Sequence, residues 1–581
     1  MIDEKHTKNS CEELTADEDS VLWEIGEIIH PQDTSDDWWR SSVIYQIYPK
    51  SFRDSNGDGI GDLKGIILGL PALKKLGVDA IWISPFYLSP QKDGGYDVAD
   101  YCAIEPMFGT MQDFDDMVKE AKKLGIKVIV DIVPNHCSSE HRLFREAILA
   151  GPGSPERDMF IFADGKGPGG RIPPNNWRSH FGGPAWTRIT NREGQPEQWY
   201  LHLFDASQPD FNWRNPAVHE EFLRILRFWL DRGVSGFRVD VAHALVKEES
   251  MRNWDGRSNG RSSEGYPGHE APMFGQPEVH EIFKEWRKVI NEYGDDKILC
   301  AEANVDPVER ITDWVRPGEM HQAFNFGYLY TPWDPKQLKS VITESFEAFD
   351  KVGAPTTWVL SNHDKMRHAT RFGMEHDHGR GSDGVGPDDI QPNAKLGLAR
   401  AQASTLFMLG LPGGVYLYQG EELGLPDNTM IPPHARQDPT FKRTNGERMG
   451  RDGSRVPLPW DKSNASCGFS SSDASWLPQP AEWPELSRAS QELDDQSTLA
   501  MYQQALALRK DLCLGSGSFA WIDTKQDEVL AYKNGNLMVV MNMGDKPVNY
   551  PAFWPTVMES SEGCSRMGGL LPNTSIWIYQ P

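Results

Sequence analysis

The strongest constraint on this chain is a rhythm. Between positions 43 and 420, eight short apolar runs alternate with longer segments, and each run ends in polar residues. The runs are VIYQIYP (43–49), AIWISP (80–85), IKVIVDIVPNH (126–136), VSGFRVDVA (234–242), KILCAEA (297–303), HQAFNF (321–326), TTWVLSNHD (356–364) and GGVYLYQG (413–420). Helical spacing of apolar residues recurs over 65–76, 111–125, 216–233, 278–293, 335–350, 394–409 and 499–511. Runs that are apolar throughout suit strands covered on both faces, and successive parallel strands need right-handed crossovers. Eight such units predict an α/β chain closed into a (β/α)₈ TIM barrel. No G-x-G-x-x-G follows the first run, which argues against an open dinucleotide-binding sheet.

Three stretches break the rhythm. Residues 1–38 are polar and acidic around one apolar stretch, VLWEIGEII, and read as a partly disordered N-terminal extension. Residues 137–210 hold GPGSPERD, GKGPGGRIPPNN and FGGPAW, the texture of a loop-rich insertion after the third strand. The barrel then occupies 39–136 and 211–514. From 515 to 581 the helices stop, LAYKNGNLMVVMNMG reads as a hairpin around Asn-Gly, and SIWIYQ as a closing strand. That tail is expected to be a small antiparallel, sandwich-like β domain.

With 59 Lys and Arg against 84 Asp and Glu, the net charge of −25 repels phosphate backbones and anionic membranes. A small neutral substrate is compatible with it; nucleic acid and membrane are not expected partners. The seven cysteines show no C-x-x-C spacing, which reads as free thiols in a reducing compartment. The N-terminus lacks an apolar signal region and no apolar run reaches membrane-span length, so a cytoplasmic protein is expected, as monomer or homodimer. The 20 tryptophans and 16 tyrosines read first as core, with a minority available to stack on sugar faces.

In a barrel of this kind, chemistry sits at the C-terminal ends of the strands. Those ends offer Asp131, Asn135 and His136 after the third run, Arg238 and Asp240 after the fourth, Glu302 after the fifth, and His363 and Asp364 after the seventh. A lone Asp there commonly caps a helix or braces a loop. Four acidic positions converging on one mouth, with no serine elbow, clustered cysteines or H-E-x-x-H, point instead to carboxylate chemistry.

These segments resemble the α-amylase superfamily, specifically its α-glucosidase and oligo-1,6-glucosidase branch. The matching stretches are YQIYPKSF (45–52), DGGYDVADY (93–101), DIVPNH (131–136), GFRVDVAH (236–243), AEANV (301–305), HQAFNF (321–326), SNHD (361–364) and GRDGSRVPLPW (450–460), in family order. ARQDPTF (435–441) ahead of the last of these is similar to bacterial, actinobacterial-type α-glucosidases. The resemblance implies a retaining, exo-acting α-glucosidase on short oligosaccharides or disaccharides. It makes Asp240 the nucleophile, Glu302 the general acid/base and Asp364 the carboxylate gripping the sugar's 2- and 3-hydroxyls. It also implies that Tyr96 stacks under the terminal glucose and that Asp93, His136 and His363 bind its hydroxyls. Arg451 takes the 4-hydroxyl side, Arg238 keeps Asp240 ionised, and Phe181 is a candidate pocket wall. Arg455 and Trp460 read as structural.

The loop DSNGDGIGD places oxygen donors at Asp54, Asn56, Asp58 and Asp62, with the Ile60 carbonyl between them. Position twelve is Gly65, where an EF-hand has its bidentate Glu, so it is not an EF-hand. Oligo-1,6-glucosidase-like enzymes carry the same pattern as a calcium site, which implies a structural Ca²⁺, or Mg²⁺ in its place. Linkage stays open: valine after the nucleophile, here Val241, accompanies α-1,6 cleavage in the family, whereas Ala242 and His243 look like the maltase type. Maltose-type substrates, isomaltose and sucrose are all compatible. Asn304 stands where many relatives have tryptophan. Transglycosylation, a trehalose synthase- or sucrose phosphorylase-like transfer, and a non-catalytic transporter heavy chain are the alternatives.

Overall fold

The computed structural model describes residues 23–191, 193–255, 271–305, 307–374, 384–566 and 568–580. Eight parallel strands form its centre: β1 Val43–Ile47, β2 Ala80–Ile83, β3 Lys127–Ile132, β4 Gly236–Val239, β5 Ile298–Ala301, β6 Gln322–Ala323, β7 Thr357–Val359 and β8 Gly414–Tyr418. Their order is β6-β5-β4-β3-β2-β1-β8-β7. The ring closes between β6 and β7, where the Asn325 N–H donates to the Thr357 carbonyl at 3.3 Å.

Alternation along each strand sorts the side chains into two separate cores. Ile44, Trp82, Ile129, Ile298, Cys300, Phe324, Val359 and Tyr416 face inward and fill the barrel. Tyr45, Ile81, Val130, Phe237, Leu299 and Leu417 face outward, under the helices. Both sets are buried, which is why the runs lack polar alternation.

Long helices cover the strands: α1 Leu63–Leu76, α2 Met111–Lys123, α3 Pro216–Leu230, α4 Val279–Asn291, α5 Pro335–Val352, α6 Ala394–Leu409 and α7 Thr498–Asp511. Local chemistry sets their starts. Thr110 and Asp113 form a reciprocal capping box on α2, and Asn215 caps α3 ahead of Pro216. Between β5 and β6 the alternation is shortened to a four-residue helix, Val308–Ile311, and a 3₁₀ turn.

The insertion after β3 carries a three-stranded sheet of Phe162–Ala163, Pro196–Leu201 and Trp186–Thr190. A bridge between His136 and Asp210 joins its two ends at the barrel mouth. The C-terminal sheet packs on α6: Tyr532 Oη, Trp577 Nε1 and Ser575 Oγ donate to the carbonyls of Phe407, Leu406 and Ala403 at 2.6–2.9 Å.

Residues 24–30 depart from the expected partly disordered extension. Glu24–His30 is a strand at the edge of the C-terminal sheet, antiparallel to Phe519–Asp523. His30 stacks on Phe346 of α5 at 4.7 Å, and its Nδ1 lies 2.8 Å from Asp350 Oδ1. The strand was hidden because it sits at a sheet edge with its first five residues exposed, Ile25 and Ile28 among them, so it shows no buried face in the sequence. The part of the extension before Trp23 lies outside the described residues, as does Cys11; the other six cysteines are unpaired. Among the described residues no helix is long and apolar enough to cross a membrane.

Deleting residues 1–31 should uncover the Phe519–Asp523 edge, lower the unfolding midpoint by about 2–4 °C and leave kcat within about twofold, the site being remote. A calorimetric scan that shows no change would mean that this strand does not brace the sheet.

Candidate active site

The strand ends converge on one cavity that opens to solvent. Its wall includes Asp93, Tyr96, His136, Phe181, Asp240, Glu302, Asp364 and Arg451. No tryptophan lines it among the described residues; its aromatic wall is Tyr96, Phe181, Phe204, Phe326 and Tyr330. The largest fully buried tryptophans, such as Trp82, Trp229 and Trp358, are core.

Arg238 organises the floor. In register it lies between Asp131 of β3 and Cys300 of β5, pointing into the barrel mouth. Its Nη1 donates to Asp240 Oδ1 at 2.6 Å and to Asp131 Oδ1 at 2.9 Å, while Nη2 lies 2.8 Å from Glu302 Oε2. One guanidinium thus fixes two carboxylates that follow adjacent strands. Burial pushes the Asp240 carboxyl well above the usual range, Arg238 opposes it, and the charges of Glu302, Asp131 and Asp364 add to the rise. Burial likewise lifts Asp131 to about 7, again against Arg238. Arg238 therefore lowers the cost of ionising Asp240 without cancelling it. Three carboxylates crowded on one cation favour retaining a proton within the set.

Asp364 sits in the opposite field. Burial works to raise it, but His363 and the guanidiniums of Arg451, Arg455 and Arg238 outweigh burial, and its carboxyl lies well below the usual range. Because burial holds the His363 imidazole well below its ordinary value, the arginines are the cations that count. Arg451 Nη1 and Arg455 Nη2 both donate to Asp364 Oδ1, at 2.8 and 2.9 Å. Arg455 is therefore part of the site's charge, not only of its scaffold. His363 is stacked between Tyr96 and Tyr48, at centroid distances of 5.1 and 5.8 Å, with Nε2 3.2 Å from Asp364 Oδ2.

The far end of the cavity is closed by Arg451. Its Nη2 donates to Asp93 Oδ1 at 2.7 Å, its Nε to Asp438 Oδ2 at 2.6 Å, and its guanidinium lies 4.9 Å from the Phe181 ring centre. Phe181 thus forms part of the wall. Gln208 of the insertion donates to Asp93 Oδ2 at 3.0 Å and lies 3.2 Å from His136 Nε2. Burial raises Asp93 to about 6 against Arg451, and burial with Lys247 lowers His136 to about 3, so His136 is neutral.

Asp93, Tyr96, His136, Phe181 and Arg451 thus line the cavity, whereas Arg238 and His363 are fully buried behind its wall. The sequence placed Asp131 among the strand-end acids but gave it no task; it holds both Arg238 and the Tyr96 hydroxyl (2.9 Å). Asp438 and Gln208, behind Arg451 and Asp93, were missed. Asp438 had a signal, the ARQDPTF stretch; Gln208, on a loop of the insertion, had none.

The loop at 54–62 lies apart. Asp54 Oδ1 accepts the N–H groups of Asn56 and Gly57 and Oδ2 that of Gly59, at 2.7–2.9 Å. Asn56, Asp58 and Asp62 oxygens accept the N–H groups of Asp58, Ile60 and Gly65. Asp54 Oδ2 and the Oδ1 atoms of Asn56, Asp58 and Asp62 each accept one N–H and keep a further lone pair, whereas Asp54 Oδ1 accepts two. Among the described residues, however, no three His, Cys, Asp or Glu side chains are grouped to hold a metal.

Comparison with known proteins agrees with this architecture. The family model described as "Alpha amylase, catalytic domain" matches residues 46–516. The chain is 36% identical to a probable alpha-glucosidase of Rhizobium meliloti, over 88% of this chain and 90% of that protein. It is 33% identical to a salivary alpha-glucosidase of Anopheles gambiae, over 94% and 92%. Among solved structures, the alpha-glucosyl transfer enzyme XgtA superposes with a TM-score of 0.81 at 33% identity, covering 94% of this chain and all of that one. The chain belongs to the α-amylase family.

Proposed function

We propose that this protein is a retaining, exo-acting α-glucosidase that releases glucose from the non-reducing end of short α-glucosides. The observation that carries the reading is the single guanidinium of Arg238 holding Asp240 and Glu302 side by side in a cavity whose far end Arg451 and Asp93 close. Names of relatives support it, including maltases, an oligo-1,6-glucosidase and a trehalose-6-phosphate hydrolase.

In this mechanism Asp240 attacks C1 of the glucosyl unit as Glu302 gives its proton to the leaving oxygen, and the C1–O bond breaks. Glu302, now a carboxylate, takes a proton from water, which attacks C1 and frees Asp240. Two inversions retain the α configuration. Asp364, kept ionised by its arginines, grips two hydroxyls more tightly as the ring flattens toward the oxocarbenium ion. Tyr96 with neutral His136 and His363 positions the ring, and the Arg451–Asp93 end admits one terminal sugar. Transfer of the glucosyl unit to a second sugar is the alternative favoured by the likeness to XgtA and to a trehalulose synthase.

With maltose, proton NMR should show α-glucose as the first product, little attack within long starch, and at least a thousandfold (about 4 kcal/mol) loss of kcat in Asp240→Ala. β-Glucose first, or rapid internal cleavage of starch, would overturn the assignment. We also propose a structural divalent cation, Ca²⁺ or Mg²⁺, held by Asp54, Asn56, Asp58, Asp62 and the Ile60 carbonyl, which would offset their charge. Chelation should then lower the unfolding midpoint by a few degrees, with calcium restoring it. An unchanged midpoint and a metal-free elemental analysis would remove the site.

A further inference from the structure

Val241 follows the proposed nucleophile and has φ = +44°, in the left-handed region. A β-branched side chain disfavours that conformation strongly, because Cβ crowds the neighbouring carbonyl. Such an outlier persists only where its surroundings fix it. Here they do: Val241 is buried, the Ala242 N–H donates to the Glu302 carbonyl at 2.8 Å, and Trp314 Nε1 donates to the Ala242 carbonyl at 3.2 Å. β4 ends at Val239, and two residues on the Val241 N–H faces the residue after β5. That N–H donates to Glu302 Oε2 at 3.0 Å, the same oxygen that lies 2.8 Å from Arg238 Nη2.

We infer that the Val241 backbone amide is a positioning group for the acid/base: with Arg238 it occupies Glu302 Oε2 and leaves Oε1 as the oxygen that carries and delivers the proton. An oxygen that accepts from two N–H donors is a poor site for a proton, because a proton there would oppose both hydrogen bonds. The proton is thereby confined to one oxygen. The amide acts through the acid and not on the sugar, so its removal should matter in proportion to how much the leaving oxygen needs protonation. This inference rests on the reading of Glu302 as acid/base given above.

The direct test replaces Val241 by its α-hydroxy acid, an amide-to-ester exchange that deletes the N–H and keeps the side chain. kcat/KM for maltose should fall about tenfold or more, as for loss of a hydrogen bond to a charged group. For 2,4-dinitrophenyl α-glucoside, whose leaving group needs no proton, it should fall less than about threefold. Val241→Gly, which keeps the N–H and takes positive φ freely, should keep the ratio of kcat/KM between the two substrates within about threefold of that of the unmodified protein. Equal losses on both substrates in the ester variant would overturn the inference, as would a glycine variant that changes that ratio as far as the ester does. Failure of the function itself looks different: the unmodified protein would then hydrolyse neither substrate.

Discussion

Arg238 is the interaction on which the rest of the site depends. A guanidinium buried at the mouth of an apolar barrel is costly to desolvate and is tolerated only with partners. Asp131, Asp240 and Glu302 are those partners, brought from three neighbouring strands by the parallel register. The dependence runs both ways: without the cation the three carboxylates repel one another, and without them the cation is stranded. Fold and chemistry are therefore coupled at one side chain.

A second cation divides the cavity. Arg451 joins Asp93, Asp364 and Asp438, and Arg455 adds its charge to Asp364. Around Arg238, carboxylates outnumber cations and burial raises Asp240; around Asp364, arginines prevail and its carboxyl falls. Two carboxylates of one cavity thus have opposite proton affinities. In the proposed mechanism that contrast separates a proton-handling set from a permanently ionised sugar grip.

Much of the barrel was legible because burial on both faces writes an uninterrupted apolar run. The exceptions have physical causes. β6 is only two residues long, the segment between β5 and β6 holds only a four-residue helix and a 3₁₀ turn, and the Glu24–His30 edge strand leaves its first five side chains in water. Within the site, residues at strand tips could be picked out from position and chemistry. Arg451 and Asp93, 358 positions apart, were brought to one end of the pocket only by the family resemblance, since no periodicity encodes the path of the loops that carry them. The reach of Arg455 was hidden: it reads as structural, yet it and Arg451 both bond Asp364 from one 3₁₀ turn and its cap.

The central claim is that Asp240, held by Arg238, forms a covalent bond to the sugar. Incubation with 5-fluoro-α-glucosyl fluoride, followed by proteolysis and mass spectrometry, tests it most directly. The account predicts one glycosylated peptide, with the label on Asp240 and lost in Asp240→Asn. A label on Glu302 or Asp364, or turnover of the reagent with no covalent species under conditions that trap a retaining enzyme, would contradict it.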